Sequence, residues 1–265
     1  MRAWYKTVAA LMLCASSSAV AADRQPICAA RPGKSTAPCT VPGGMFQIES
    51  GFADWSLRKG GGGRETSFTI GETVFKYGLN DHSDIELDVT PWQRSASRAS
   101  GMHESASGFG DLVASYKQEL TPAKEPLQLS LLASVKIPTA KRSLGNGKWE
   151  AGLLVPILYS LGKSPFAINL TPELDWAADA DRHGHHVAMA QVASFGWAAT
   201  DKLNLSAEVW GQWDWDPAGT NRQASADGSV AYLVGNDVQL DAGANFGLNR
   251  RTPDLELYTG LSARF

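Results

Sequence analysis

Hydrophobic and polar residues alternate along most of the chain after residue 45. In the last segment Leu255 and Leu257 fall on one face, and Glu256 and Tyr258 fall on the other. Because successive side chains of a β-strand point to opposite faces, this pattern predicts about twelve strands. The predicted strands cover residues 45–57, 65–77, 84–92, 108–120, 127–137, 149–161, 166–176, 187–197, 203–215, 224–234, 238–248 and 255–265.

The connections between these strands differ in length in an alternating way. The odd-numbered connections include the two longest, at residues 93–107 and 138–148, whereas the even-numbered ones are mostly short. Outer-membrane barrels have short periplasmic turns, longer extracellular loops and periplasmic termini. The sequence therefore predicts an all-β protein, an up-and-down antiparallel transmembrane β-barrel of about 12 strands with both termini in the periplasm. Residues 45–265 form this barrel.

Aromatic residues gather at the ends of the predicted strands rather than at their centres. Trp92, Trp149 and Trp176 fall at predicted extracellular ends, and Tyr159 and Trp197 fall at periplasmic ends. Two aromatic belts are typical of proteins that cross a membrane. A soluble barrel or sandwich with an aromatic core is the alternative, and it accounts poorly for this placement.

The first residues have the features of an export signal. Arg2 and Lys6 precede an apolar stretch from residue 7 to about residue 15, and small residues follow up to Ala22. This arrangement predicts a signal peptide at residues 1–22. Together with the barrel pattern, it predicts a location in the outer membrane of a Gram-negative bacterium.

The segment that follows, residues 23–44, is rich in Pro, Ala and Gly and lacks strand periodicity. It contains Cys28 and Cys39, and an oxidising compartment favours a disulfide between them over metal binding. We interpret it as a periplasmic N-terminal segment. It is either a disordered lead-in, which we favour, or a small disulfide-closed cap at the periplasmic mouth.

The polar faces of the predicted strands should line a lumen rich in acidic residues. The candidate lumen-facing residues are Asp84, Glu86, Asp88, Asp111, Lys117, Lys136, Glu173, Asp175, Glu208, Trp210, Asp241 and Arg264. Such a lumen would favour neutral or cationic solutes, unless the carboxylates simply fill a narrow barrel. Inward apolar residues form either a track for a hydrophobic solute or internal packing; they are Leu132, Leu154, Leu158, Trp210 and Tyr258.

Few residues suggest catalysis or a cofactor. His183, His185 and His186 form a weak candidate for a transition-metal site in a predicted extracellular loop that also holds Asp179 and Asp181. His103 lies near Ser105 and Ser107, but spacing alone places no acid beside them. We predict no enzyme activity and no cofactor. The net charge of −3 and the absence of a basic run argue against a nucleic-acid partner.

Several short motifs resemble one known family. They are Gly108–Leu112, Lys136–Thr139, Asn236–Asp241 and the ending Gly260–Phe265. These segments are similar to the outer-membrane transporter family named after the MetA (meta-cleavage) pathway of phenol degradation. The family usually has Gly after the Pro-Thr pair, where this chain has Ala140. The resemblance implies an outer-membrane barrel that admits small, including aromatic, carbon sources.

The function predicted from these observations is passive passage of small solutes across the outer membrane. An outer-membrane enzyme acting on lipids and a non-transporting structural barrel are the alternatives. The expected partners are outer-membrane lipid, a small-molecule solute and the barrel-assembly machinery. The last expectation rests on the terminal strand ending at Phe265, which resembles the closing strand that this machinery reads.

Overall fold

The computed structural model describes residues 25–60, 62–122 and 125–265, so the predicted signal peptide lies outside the described residues. Within these ranges no helix is long and apolar enough to cross a membrane. The strands are β1 (Phe46–Gly60), β2 (Gly63–Ile70), β3 (Thr73–Asn80), β4 (Ser83–Val89), β5 (Trp92–Ala99), β6 (Met102–Gly108), β7 (Leu112–Glu119), β8 (Leu127–Ile137), β9 (Glu150–Leu154), β10 (Ile157–Ser160), β11 (Phe166–Ala178), β12 (His185–Ala198), β13 (Leu203–Asp214), β14 (Asn221–Gly235), β15 (Val238–Gly247) and β16 (Leu255–Arg264).

The strands form one closed antiparallel barrel with 12 crossings. Consecutive crossings pair with each other, and β1 pairs with β16 from Gln47 opposite Arg264 to Leu57 opposite Leu255. Four crossings are each built from two strands, namely β2 with β3, β4 with β5, β6 with β7, and β9 with β10. The predicted up-and-down barrel of about twelve strands is thus confirmed.

Three of the four divided crossings are interrupted at a proline or at a glycine with positive φ. Gly71, with φ of 71°, separates β2 from β3, and Pro91 lies between β4 and β5. Pro156 lies between β9 and β10, and proline has no N–H for a ladder hydrogen bond. β1 also carries an irregularity, a register shift between Gly51 and Ala53.

One predicted loop is instead regular structure. Residues 93–107 form most of the hairpin of β5 and β6, which turns at Ser100 and Gly101 with φ of 51° and 79°. The prediction of a loop was wrong because this stretch alternates only small and polar residues. A hairpin above the membrane needs no apolar face, so its period-two signal is weak.

The barrel is apolar outside and polar inside. On β13, for example, Val209 is 58% exposed, whereas its neighbour Glu208 is 4% exposed. The large exposed hydrophobics include Leu170, Leu174 and Leu257, and the buried side chains include Lys117. This arrangement is the inverse of a soluble protein and suits a surface that contacts lipid.

Exposed aromatic residues form belts near the two ends of the crossings. Trp176 and Trp213 lie at the extracellular end, and both are exposed. At the periplasmic end Phe166 stacks on Phe195 with ring centroids 5.3 Å apart, and Trp197 lies 6.3 Å from Phe166. Such rings at both interfaces anchor a barrel in the bilayer.

Candidate functional site in the barrel lumen

Residues 25–44 lie inside the barrel, and we refer to them as the plug. At its start Arg264 donates a hydrogen bond to the Gln25 carbonyl (2.7 Å). At its end the Gly44 N–H donates to the Gly78 carbonyl (2.9 Å). Both contacts lie at the periplasmic end of the wall, and the intervening residues reach into the lumen. This corrects the expected disordered lead-in and also the alternative of a cap at the mouth.

The plug has the shape of a loop whose neck is closed by a covalent bond. Cys28 and Cys39 form a disulfide across a sequence separation of 11. Most of the plug's contacts with the middle of the wall come from the residues between these two cysteines.

Inward carboxylates bind the backbone of the plug. Glu49 accepts hydrogen bonds from the N–H groups of Ala30 (3.0 Å) and Arg31 (3.2 Å). Glu208 accepts one from the Lys34 N–H (2.8 Å). These bonds satisfy donors that an irregular segment would otherwise leave unpaired away from water.

Two further wall residues hold the returning arm of the plug. Asp84 accepts a hydrogen bond from the Val41 N–H (2.8 Å). Lys117 donates to the carbonyls of Ala37 (3.2 Å) and Cys39 (3.4 Å). Wall residues of both charges therefore match the donors and acceptors of the plug.

The two basic side chains of the plug contact acids and aromatic rings of the wall. Arg31 forms an ion pair with Asp241 (2.9 Å) and lies 6.0 Å from the ring centre of Tyr258. Lys34 lies 5.5 Å from the ring centre of Trp210. At these distances cation–π attraction adds to the ion pair.

Behind the plug the wall contains a compact network of charges. Lys76 lies 2.7 Å from Glu49, and both side chains are almost fully buried. Glu86 lies 3.5 Å from both Lys76 and Lys117. Asp88 is half-buried further along β4. The charges of Glu49, Lys76, Glu86 and Lys117 are thus paired, which offsets the desolvation cost of burying them, whereas Asp88 forms no ion pair within the described residues.

Glycines allow the plug to approach the wall closely. A Cβ atom at Gly78 would lie 2.1 Å from the Pro42 carbonyl oxygen, and one at Gly260 would lie 2.6 Å from the Arg31 guanidinium. A Cβ at Gly33 would lie 2.8 Å from the Glu208 carboxylate. These glycines are the sequence signal of the plug, but they could only be interpreted once the approaching segment was known.

Two cavities lie in the lumen and its extracellular mouth. The mid-lumen cavity of about 420 Å³ includes Lys136, Glu150, Glu173, Asp175, Gln212 and Asp214 among its lining residues. The vestibule, an extracellular cavity of about 600 Å³, includes Arg58, Glu65, Asp214, Asp216 and Arg251 among its lining residues. Because Asp214 lines both, the two cavities adjoin.

The mid-lumen cavity has an excess of negative charge. Lys136 forms an ion pair with Glu150 and lies 3.6 Å from Asp111. Among the described residues no Lys or Arg lies within ion-pair distance of Glu173 or Asp175. Those two carboxylates are therefore the acidic groups that a solute in this cavity would meet.

The predicted histidine cluster is only partly assembled. His186 lies at the lumen side of the mouth, with Nδ1 2.8 Å from Asp179 and Nε2 2.6 Å from Asp214. His185 stacks on the exposed Trp176 instead, and the His183 side chain is 88% exposed. Only one of the three candidates thus joins a group of acidic residues.

Asp216 completes this group from the connection between β13 and β14. Its carboxylate accepts hydrogen bonds from the N–H groups of Ala180 (2.7 Å) and Ala218 (2.6 Å). The bonds to Ala218 and Ala180 lower the pKa of Asp216. Asp216 is therefore negatively charged at neutral pH at the mouth of the barrel.

Comparisons with known proteins agree with this architecture. The family described as "Putative MetA-pathway of phenol degradation" matches residues 29–265. No curated protein matches the chain.

Among solved structures, an outer-membrane channel from Pseudomonas putida F1 is similar with a TM-score of 0.70 and 16% identity, over 89% of this chain and 99% of that one. The translocator domain of the autotransporter NalP from Neisseria meningitidis has a TM-score of 0.55 and 13% identity, over 84% of this chain and 88% of that one. At these identities the similarity concerns the fold, which is that of an outer-membrane barrel.

Proposed function

Since this chain belongs to the MetA-pathway phenol-degradation family and forms an outer-membrane barrel, we propose that it is a passive channel for small solutes, aromatic ones among them. The observation that carries this proposal is the polar hollow formed by the vestibule and the adjoining mid-lumen cavity. Between this hollow and the periplasm lies the plug. Passage therefore requires the plug to move.

The contacts of the plug suit such movement. They are hydrogen bonds and ion pairs, most of them to charged groups, and each of these contributes only about 1.5–3 kcal/mol net because water replaces the lost partner. Water entering the lumen from the vestibule can make that replacement one contact at a time. All the contacts together hold the plug in place, but water can replace each single contact.

Aromatic rings under the plug support the aromatic part of the proposal. Trp210 and Tyr258 face inward and are covered by Lys34 and Arg31. When the plug withdraws, these ring faces become free to stack against an aromatic solute. Of the other predicted inward apolar residues, Leu132 is buried in the wall, and Leu154 and Leu158 are half-buried.

Charge supports a preference among solutes. Glu173 and Asp175 line the mid-lumen cavity, and Asp214 lines the boundary with the vestibule. Carboxylates clustered along a pore disfavour anions and accept neutral or cationic solutes.

Liposome swelling with matched glycine variants tests the proposal. Gly78→Ala places a methyl group against the carbonyl of Pro42, whereas Gly196→Ala adds the same group where the nearest atom is 3.8 Å away. We expect a neutral pentose and a phenyl glycoside to enter Gly78→Ala liposomes several-fold faster than wild-type liposomes. Gly196→Ala should behave as wild type.

Absence of flux in all three proteins, with folded barrels, would contradict the channel and favour a structural barrel. Lipid hydrolysis in the same liposomes would favour the enzyme alternative. The candidate residues for that alternative occupy every second position of β6; they are His103, Ser105 and Ser107. Within the described residues no hydrogen bond joins His103 to a carboxylate. The catalytic arrangement of a base with an orienting acid is therefore not assembled there.

We also propose that the barrel-assembly machinery recognises the closing strand. Phe265 exchanges two backbone hydrogen bonds with Phe46, of 2.8 and 3.2 Å, at the seam of the barrel. Its side chain is 67% exposed and so is accessible from outside the wall. Replacing Phe265 with Ser should lower the amount of folded barrel in the outer membrane without changing the amount exported.

A further inference from the structure

Three side chains at the extracellular mouth present ligand atoms to a common point. Asp179, His186 and Asp216 each offer one such atom, and these atoms lie within 4.8 Å of one another. His186 Nδ1 is 2.8 Å from an Asp179 oxygen and 3.8 Å from an Asp216 oxygen. Ligands bound to zinc at about 2.0–2.2 Å in a tetrahedron lie about 3.3 Å apart, between these two distances.

The second nitrogen of His186 is already held as in metal sites. Nε2 lies 2.6 Å from Asp214, and the His186 side chain is only 7% exposed. A metal-bound histidine usually donates its other N–H to a carboxylate, which orients the ring and fixes the tautomer. With Asp214 accepting from Nε2, Nδ1 is directed between Asp179 and Asp216, and a metal ion that displaces the Nδ1 proton would meet the Nδ1 lone pair there.

The two loops that supply the carboxylates are shaped around this point. A Cβ at Gly184 would lie 2.4 Å from the Asp179 carboxylate, so only glycine leaves that carboxylate its place. The Asp179 N–H donates to the Gly184 carbonyl (3.1 Å), which closes the loop. Asp216 is fixed by the N–H groups of Ala180 and Ala218. The ligands are therefore positioned by backbone bonds and not by one another alone.

We propose that Asp179, His186 and Asp216 bind a divalent transition-metal ion of the zinc type, with Asp214 as the orienting partner of His186. One imidazole and two carboxylates leave a fourth tetrahedral position for water or a solute group. No metal is needed to hold the barrel closed, because the site joins two connections at the extracellular end of β12 and β13, whose pairing is complete without it.

The ion would change the mouth of the barrel in two ways. It would tie the loop at 179–184 to the connection between β13 and β14. It would also neutralise the negative charges of its two carboxylate ligands, Asp179 and Asp216. Asp216, like Asp214, lines the vestibule. Charge at a pore entrance controls which ions enter, so occupancy would reduce the preference for cations.

Binding of Co²⁺ and Zn²⁺ to the purified, folded full-length barrel tests this proposal without any transport measurement. We expect one Co²⁺ per barrel with the intense visible absorption of a tetrahedral site, displaced by Zn²⁺. His186→Gln should abolish this signal. The matched control is His183→Gln, which should retain the signal. The side chain of His183 is exposed and lies near Asp181, outside the proposed site.

Asp214→Asn provides a second measure that separates an orienting partner from a ligand. It should weaken Zn²⁺ affinity about 10–100-fold while leaving one site per barrel. The folded state of each variant is verified by its shifted migration on unheated gels. Should His186→Gln fail to fold, Asp216→Asn takes its place. No tetrahedral Co²⁺ in the wild type, or equal loss in His183→Gln, would overturn the proposal, whereas failure of solute flux would leave it standing.

Discussion

Lys76 and Glu49 show how single residues stabilise a barrel that lacks an apolar interior. Their charged groups are 2.7 Å apart and nearly inaccessible to water. Glu49 also binds the plug through the N–H groups of Ala30 and Arg31. Removing one partner of a buried pair leaves an uncompensated charge, which costs far more than the pair itself contributes.

We therefore expect Lys76→Met to lower the free energy of unfolding by about 3–5 kcal/mol. The exposed Lys59 at the extracellular end of β1 gives a matched control, and Lys59→Met should cost less than about 0.5 kcal/mol. Urea unfolding in lipid vesicles, followed by tryptophan fluorescence, measures both. The double variant Lys76→Met, Glu49→Gln should recover part of the loss. Equal costs for the two single variants would show that the pair is not buried.

At the scale of elements, the success of prediction depends on which surface an element faces. β8 and β11 were predicted from the sequence because one face contacts lipid and the other the lumen, which forces a period of two. The hairpin of β5 and β6 was missed because it stands above the membrane. The plug was missed because its partners are wall carboxylates that lie up to 222 residues away in the sequence, as in the contact of Lys34 with Glu256.

The candidate site could be predicted only in part for the same reason. Alternation indicates that Asp84 and Glu208 point inward, but it does not reveal that each meets a backbone N–H of the plug. Likewise the sequence brings three histidines together, whereas strand register separates His185 from His186 onto opposite faces. Partner choice is a property of the closed barrel and not of any one strand.

The disulfide of the plug should control how often the plug opens. Closing a loop of this length favours the ordered state by on the order of 3 kcal/mol in the chain-entropy model. We expect the variant Cys28→Ser, Cys39→Ser to show larger and more frequent current fluctuations in planar bilayers, with the barrel still folded. A reducing agent should produce the same change in the wild type and none in the variant. Identical traces before and after reduction of the wild type would contradict this expectation.

On the scale of the whole molecule, stability depends on an outer face suited to lipid and an inner face suited to a polar lumen. The outer face is rich in large hydrophobics such as Leu170 and Val209, while the inner face carries charges, many of which pair with one another or with the plug. A chain built in this way has no conventional core to protect. Its tolerance of a substitution therefore depends on depth in the bilayer and on the face concerned.

A pair of substitutions on one strand tests this depth dependence. Val209 lies near the middle of β13, and Trp215 follows its extracellular end. Arginine at the centre of a lipid face costs about 2–4 kcal/mol, and near the interface about 0–1 kcal/mol. Val209→Arg should therefore destabilise the barrel in lipid much more than Trp215→Arg, as measured by equilibrium unfolding. Similar losses at both positions would place the lipid boundary elsewhere.

The plug also has a mechanical consequence. It is bound to β1 through Glu49, to β7 through Lys117, to β11 through Thr171, to β13 through Glu208 and to β15 through Asp241. These bonds connect one small loop to strands around much of the circumference of the barrel. A hollow cylinder under the lateral pressure of a bilayer deforms most easily by flattening into an ellipse. The bonds between the plug and the wall oppose that deformation. Withdrawal of the plug therefore both opens the lumen and makes the barrel easier to flatten.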